Sequence, residues 1–435
     1  MNQTNIDKII ILHKVKLMGI DEQLAKQELG ASLGLEAQEA EQRSYSLKEL
    51  DENTLDFSNE KFKNVEFNCN DLSNANFEGS KITGVKFSSL NLSGANFKGV
   101  IFKDVEFKNV DLSGVSFEGA EFNDSSIENC ELFNVNATSL ECESLNVHNS
   151  HFMDCNFSDA KLSDLRIYYC TIDKLNFEAA TLNDTVIDNS TVNDFNFNKS
   201  IIDKIRFSGT KVGSLFFEKA EVKIVVFEKA SIESIIIDDI TIESLEINMS
   251  SVLDFEIKKS NIKNLSIYKS HIKNIKFKGA VLDKFYASYV TFDSFSNESS
   301  ETGTVFNKID FEYVNLINFK LNDVMFVGFD LEKSNLKNAE FNQCQFEKIY
   351  FRGTNFSGTK FIDSPSGDFS IYESDMQNTE FHESSIKDIT IKDSNVEGSN
   401  LYEMKKEGTG YRPLTDADNT KGLFSFLISM FSKSN

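Results

Sequence analysis

Apolar residues recur at every fifth position through most of the chain. From Phe57 the step passes through Phe62, Phe67, Leu72, Phe77, Ile82 and Phe87 and holds to Phe292, 48 positions that are nearly all Phe, Leu, Ile or Val. Ala137, Cys142 and Ala287 are the weak members. A second run, one residue out of phase, extends from Phe306 to Leu401 over 20 positions, with Ser366 the only polar one. Two residues before each central position stands a second inward candidate, often small, as at Ala75, Ala95, Ala120 and Ala160. The remaining three places are mostly Asn, Asp, Glu, Lys, Ser and Gly.

Neither a helix, with its period of 3.6, nor a strand, with its period of 2, repeats in this way. Five residues with two turned inward suit one short side of a coil that bends after each side. Four such sides close a square coil of twenty residues, and neighbouring coils pair backbones as in a parallel β-helix. The pattern therefore predicts an all-β solenoid, a quadrilateral parallel β-helix of about 17 coils. At roughly 4.8 Å per coil the rod is about 80 Å long, the length of about 24 base pairs of B-DNA.

A ten-residue modulation overlies the five. Between 57 and 227, positions ending in 7 are Phe in 13 of 18 cases, against 4 of 18 for those ending in 2 between 62 and 232. Alternate sides of a four-sided coil face each other, so Phe ladders occupy one opposed pair and aliphatic ladders the other. Phe77, Phe87, Phe97, Phe107 and Phe117, with Leu336, Phe341 and Phe346 in the second run, are the expected core. Each buried Phe contributes about 1.5–3 kcal/mol, which accounts for 40 Phe without a ligand.

The repeat resembles that of the pentapeptide repeat proteins, Ala-(Asp/Asn)-(Leu/Phe)-X-X. Ala75-Asn76-Phe77-Glu78-Gly79, Ala95-Asn96-Phe97-Lys98-Gly99 and Val110-Asp111-Leu112-Ser113-Gly114 match best, and Ala339-Glu340-Phe341 and Ser334-Asn335-Leu336 are close. The resemblance covers about residues 55–404 and implies a right-handed quadrilateral β-helix. Between about 201 and 290 the small inward residue gives way to Ile205, Leu215, Ile235, Phe255 and Phe285, and a wider or distorted coil is expected there.

Outside the repeat the chain divides into a helical N-terminal cap or docking region (1–54), a phase-break loop (293–305) between the solenoid runs 55–292 and 306–404, and a linker with a short C-terminal helix (405–435). In the first, Ile6, Ile9, Ile10, His13 and Leu17 follow helical spacing. Such a cap would cover the exposed edge of the first coil. At the phase break, Ser296, Asn297, Glu298, Glu301, Thr302 and Gly303 read as a loop leaving the rod and are the candidate partner-binding loop. Asp363-Ser364-Pro365-Ser366-Gly367 is a second irregularity with turn chemistry. Leu423, Phe424, Leu427, Ile428 and Phe431 form one stripe of the last helix. That stripe could cap the last coil, join a homodimer or lie on a membrane surface. In gyrase-protecting members of the resembled family a C-terminal helical element joins two rods, which favours the dimer.

Asp and Glu outnumber Lys and Arg by 68 to 45, a net charge of −23. A chain this acidic repels nucleic acid and attracts cationic surfaces. The charge is uneven: −4 over 1–54, −6 over 55–136, −6 over 137–200, +2 over 201–290, −11 over 291–404 and +2 over 405–435. Six Cys without paired or metal-type spacing, and no cationic start followed by a signal-length apolar run, point to a cytoplasmic setting or to export without a cleaved signal. Cys130, Cys155, Cys170 and Cys344 fall at small inward places and Cys142 at a central one, as core thiols. The five His are scattered at 13, 148, 151, 271 and 382. No phosphate loop, nucleophile elbow or HExxH occurs, so neither catalysis, cofactor nor metal is expected.

Two readings of function follow. The family resemblance implies an acidic rod that mimics duplex DNA, best over 306–404, and binds a type II topoisomerase, DNA gyrase or topoisomerase IV, as do members that protect gyrase from quinolones. The alternative is a rigid interaction scaffold or bacterial effector whose sites lie in the two terminal extensions.

Overall fold

The structure, a computed structural model, describes residues 55–67, 71–298, 300, 303–400 and 405–406. The expected helices at the N-terminus and at Leu423 to Phe431 lie outside the described residues. Those described contain strands and turns and no helix, and make about 16 turns of parallel β-solenoid. They form two compact units, one ending at Lys211 and the other beginning at Val212.

In the first unit every strand pairs with the one twenty residues on. Phe62 lies beside Ile82, Ile82 beside Phe102 and Phe102 beside Phe122, all in parallel register. The chain turns its corners on residues in the left-handed region, such as Asn59, Asn64, Asn74, Gly79 and Gly84, with φ from 53° to 67°. Asn and Gly tolerate this conformation best, which explains the polar and glycine places of the repeat.

An Asn before a central position can do two jobs. Asn96 Nδ2 donates to Asn76 Oδ1 at 3.0 Å, and Asn76 Nδ2 to Asp56 Oδ1 at 2.9 Å, so side chains link successive coils. Asn96 Oδ1 also accepts the Lys98 N–H at 3.0 Å, an Asx turn that holds the corner. Ser150, a small polar residue turned inward, is satisfied: its Oγ accepts the Cys130 N–H at 3.1 Å and donates to the His148 carbonyl at 2.8 Å.

The core of this unit is the predicted pair of Phe ladders. Phe77 and Phe97 stack at 4.7 Å on one side, and Phe67 and Phe87 at 4.9 Å on the opposite side. Phe77 meets Phe87 edge to face at 6.1 Å across the interior. Such contacts add about 0.5–1.5 kcal/mol beyond burial. Where Ala137 interrupts the first ladder, a void of about 20 Å³ opens among Phe117, Val135, Leu140 and Phe157. In the second unit Leu336, Phe341 and Phe346 are buried as expected, and Phe326 stacks on Phe346 at 4.7 Å.

The widened stretch expected after 201 has a definite form. From Glu221–Glu228 through Ser231–Asp238 to Thr291–Glu298 the strands are eight residues long, and left-handed corners come once in ten residues. Positions such as 234, 254 and 274 no longer turn through that region. Beyond the phase break one corner per coil is straightened, at 308, 328, 348, 368 and 388. Each straightened corner is followed by a large inward residue, here Ile235, Phe255, Ile275, Ile309, Phe329, Ile349, Phe369 and Ile389. Left-handed corners are often followed by a small residue, although Leu140, Leu165, Leu175 and Phe319 also follow one; every straightened corner is followed by a branched or aromatic side chain that fills the space.

Candidate functional site

The described cysteines serve the coil. Cys130, Cys142, Cys155, Cys170 and Cys344 are buried free thiols. Cys155 Sγ donates to the Leu132 carbonyl at 2.9 Å and Cys130 Sγ to the Glu128 carbonyl at 3.3 Å. Burial pushes the thiols of Cys130, Cys155 and Cys170 up to about 11 and those of Cys142 and Cys344 to about 12, far from the range of a nucleophile. His148 and His151, close in sequence, face different neighbours: His148 stacks on Tyr168 at 4.8 Å, and His151 meets Phe133 edge-on at 4.9 Å. Among the described residues no group of three His, Cys, Asp or Glu could hold a metal ion.

The phase break is smaller than the polar stretch suggests. Ser296, Asn297 and Glu298, expected in the loop, belong to the strand Thr291–Glu298 and pair with Lys276, Phe277 and Lys278. Their polarity is that of outward or edge places on a strand. Glu298 forms ion pairs with Lys276 and, at 3.2 Å, with Lys278. Asn297 joins its side chain to the backbone of Asn322. The strand thus runs on to Glu298; Gly303, at φ 66°, donates its N–H to the Ser300 carbonyl at 3.1 Å. Glu301 and Thr302 lie outside the described residues. The ladder does not break: Leu282 pairs with Phe306 and Phe285 with Ile309, a coil of 24 residues in place of 20.

The second irregularity is absorbed in the same way. The Pro365 carbonyl accepts the Phe346 N–H at 3.0 Å, and Ser366 begins the strand Ser366–Tyr372. Gly367 is required, because a Cβ there would strike the Glu347 carbonyl.

Sequence profiles for pentapeptide repeats match both runs: a nine-copy profile over residues 82–138 and an eight-copy profile over 61–99 and 330–364. Pentapeptide repeats are thus recognised within both runs. No curated protein matches the sequence. Two solved structures of QnrB1, a plasmid-mediated fluoroquinolone resistance protein, align at 18% and 17% identity over 38% of this chain and 89% and 88% of theirs, with TM-scores of 0.22 and 0.24. HetL, a pentapeptide repeat protein involved in heterocyst differentiation regulation from the cyanobacterium Nostoc, aligns at 8% identity over 83% of this chain and 94% of its own, with a TM-score of 0.18.

The outer surface of the solenoid is ordered by the coil, since each outward residue stands beside the one a coil away. One column of the second unit alternates in sign: Lys320, Glu340, Lys360 and Glu380 are in register, with ion pairs of 2.9 Å and 3.1 Å. Another does not alternate. Tyr286, Asp310, Asp330 and Tyr350 stand side by side. Sequence reading alone missed this column because its members lie 24, 20 and 20 residues apart, and the first interval appears only once the register across the phase break is fixed.

Proposed function

We propose that this protein is a non-catalytic, protein-binding solenoid whose acidic second run occupies a cationic, DNA-binding surface on its partner. The observation that carries this is the ordering of the outer surface: backbone and inward side chains are consumed by the coil, and the outward carboxylates stand in fixed columns. The excess of acid over 291–404, −11, supports a cationic partner. The Lys320–Glu380 column is self-neutralised, so the attraction comes from the columns containing Asp310, Glu312, Asp330 and Glu332. Resemblance to gyrase-protecting members makes a type II topoisomerase, DNA gyrase or topoisomerase IV, the first partner to test.

The experiment is binding of purified gyrase and topoisomerase IV subunits to the full chain across a salt series. Binding should weaken steeply as salt rises, since exposed charges are screened beyond about 8–10 Å at physiological ionic strength. Reversal of carboxylates within 306–404 should abolish it. Failure of both enzymes to bind would sink the topoisomerase reading, and binding indifferent to salt and charge reversal would sink mimicry.

A further inference from the structure

The coil requires polar residues on its outer face, yet one face of the second unit is rich in exposed tyrosine. Of the ten large apolar or aromatic side chains exposed among the described residues, Met249, Tyr268, Tyr286, Tyr289, Tyr313 and Tyr350 stand in three adjacent columns there. One column is Ser266, Tyr286, Asp310, Asp330 and Tyr350; the next is Tyr268, Ser288, Glu312 and Glu332. Immediately beyond, Tyr289 stacks on Tyr313 at 4.7 Å and 12°. None of these rings fills the core. Tyr is enriched at the energetic centres of protein interfaces.

Charge identifies the occupant. Asp310 and Asp330 are like charges in register, about 4.8 Å apart along the ladder. Lys308 lies 3.8 Å from Asp310 and Lys333 2.9 Å from Glu332, while Asp330 and Glu312 form no ion pair among the described residues. Burial, and then the neighbouring Asp310, hold the Asp330 carboxyl above its ordinary range. Tyr286 and Tyr350 close the two ends of the Asp pair. The protein's own lysines already show that these rings accept cations: Lys308 sits 5.8 Å from the Tyr286 centroid, Lys333 5.1 Å from Tyr313 and Lys269 4.9 Å from Tyr268.

We propose that this face docks a protein segment presenting arginine, with a guanidinium held by Asp310 and Asp330 and flanked by Tyr286 and Tyr350. A planar guanidinium can bridge two carboxylates and stack on an aromatic ring at once. Phosphate-bearing polymers are repelled by the same carboxylates. The proposal rests on the protein-binding reading and adds the site and the partner's chemistry to it.

The test uses the folded full chain and dye-labelled hexa-arginine and hexalysine peptides, followed by anisotropy at low salt. Hexa-arginine should bind several-fold tighter than hexalysine. Asp310→Asn with Asp330→Asn should weaken it about tenfold, the loss expected for a charge-assisted hydrogen bond. Tyr350→Ser should also weaken it. Asp363→Asn with Glu383→Gln removes the same charge from another column of this unit and should change affinity less than about twofold. Circular dichroism confirms that each variant is folded. Equal losses from both charge pairs would mean general attraction to an acidic chain and overturn the proposal. So would equal affinity for the two peptides, or binding of a neutral oligosaccharide that needs the tyrosines and not the carboxylates. None of these failures touches binding of topoisomerase subunits, and absence of topoisomerase binding leaves the peptide result standing, so the two readings fail separately.

Discussion

Asn297 uses its side-chain amide as a peptide group. Its Nδ2 donates to the Asn322 carbonyl at 2.5 Å, and its Oδ1 accepts the Asn322 N–H at 2.8 Å. Ordinary ladder pairing of main chain to main chain is thereby carried across the coil that is four residues too long. Asn297→Ala should cost about 1–3 kcal/mol by leaving a donor and an acceptor unpaired, read as a lower urea midpoint. Asn297→Asp keeps the acceptor alone and should fall between the two. An unchanged midpoint in the alanine variant would deny the amide this role.

Tyr169 turns a corner at φ 54° with its ring exposed. A bulky residue in the left-handed region costs about 1–2 kcal/mol relative to the right-handed one, and Asn is better suited to it. Tyr169→Asn should therefore raise the melting temperature, by an amount corresponding to about 1 kcal/mol. A lower melting temperature would show that the ring makes contacts worth more than the strain.

The void beside Ala137 is the counterpart of a missing ring in the Phe ladder. Ala137→Val adds two methyl groups toward a space of about 20 Å³ and should stabilise by on the order of 0.5–1 kcal/mol. Phe87→Ala, in the intact ladder, should cost about 3–5 kcal/mol. Comparison of the two midpoints checks both; destabilisation by Ala137→Val would show that the surrounding side chains cannot shift to admit it.

Asp330 gives a pH dependence of known sign. Its carboxyl is raised in the folded protein by burial and by Asp310, so the folded state binds its proton more tightly than the unfolded chain. Its ionisation destabilises the fold above the raised value, and that penalty is relieved as pH falls through it. Asp330→Asn should thus be more stable than the parent at pH 7, with the gap closing as pH falls below the ordinary aspartate range. Glu298 acts in the opposite sense: hydrogen bonds from Lys276 and Lys278 lower its carboxyl, and its contribution is lost as pH falls through that lowered value. Urea midpoints across pH, for parent and Asp330→Asn, separate the two. A variant less stable than the parent at pH 7 contradicts the sign.

Much of the fold was legible because the period of five depends on inward size alone. Phe77, Phe87, Phe97 and Phe107 are wholly buried where the repeat puts them. The substitution of large for small residues at Ile235 and Phe255 signalled the straightened corners, although the eight-residue strands required the backbone to be seen. Sequence alone starts the loop too early, at Ser296, because outward residues of a solenoid strand are as polar as those of a loop and composition does not distinguish them. The Tyr286–Asp310–Asp330–Tyr350 column was hidden for a different reason. Its residues become neighbours only through the 24-residue coil, and no local pattern marks a contact made by register.

That coil also bears on how such a chain changes length over generations. Tandem duplication of twenty residues adds one turn and leaves every column aligned, so growth by whole coils conserves the outer surface. The 24-residue coil shows what other increments require: the strand beside the surplus uses a side-chain amide, that of Asn297, to close the seam. A seam of this kind marks where further sequence could be added without disturbing the register on either side.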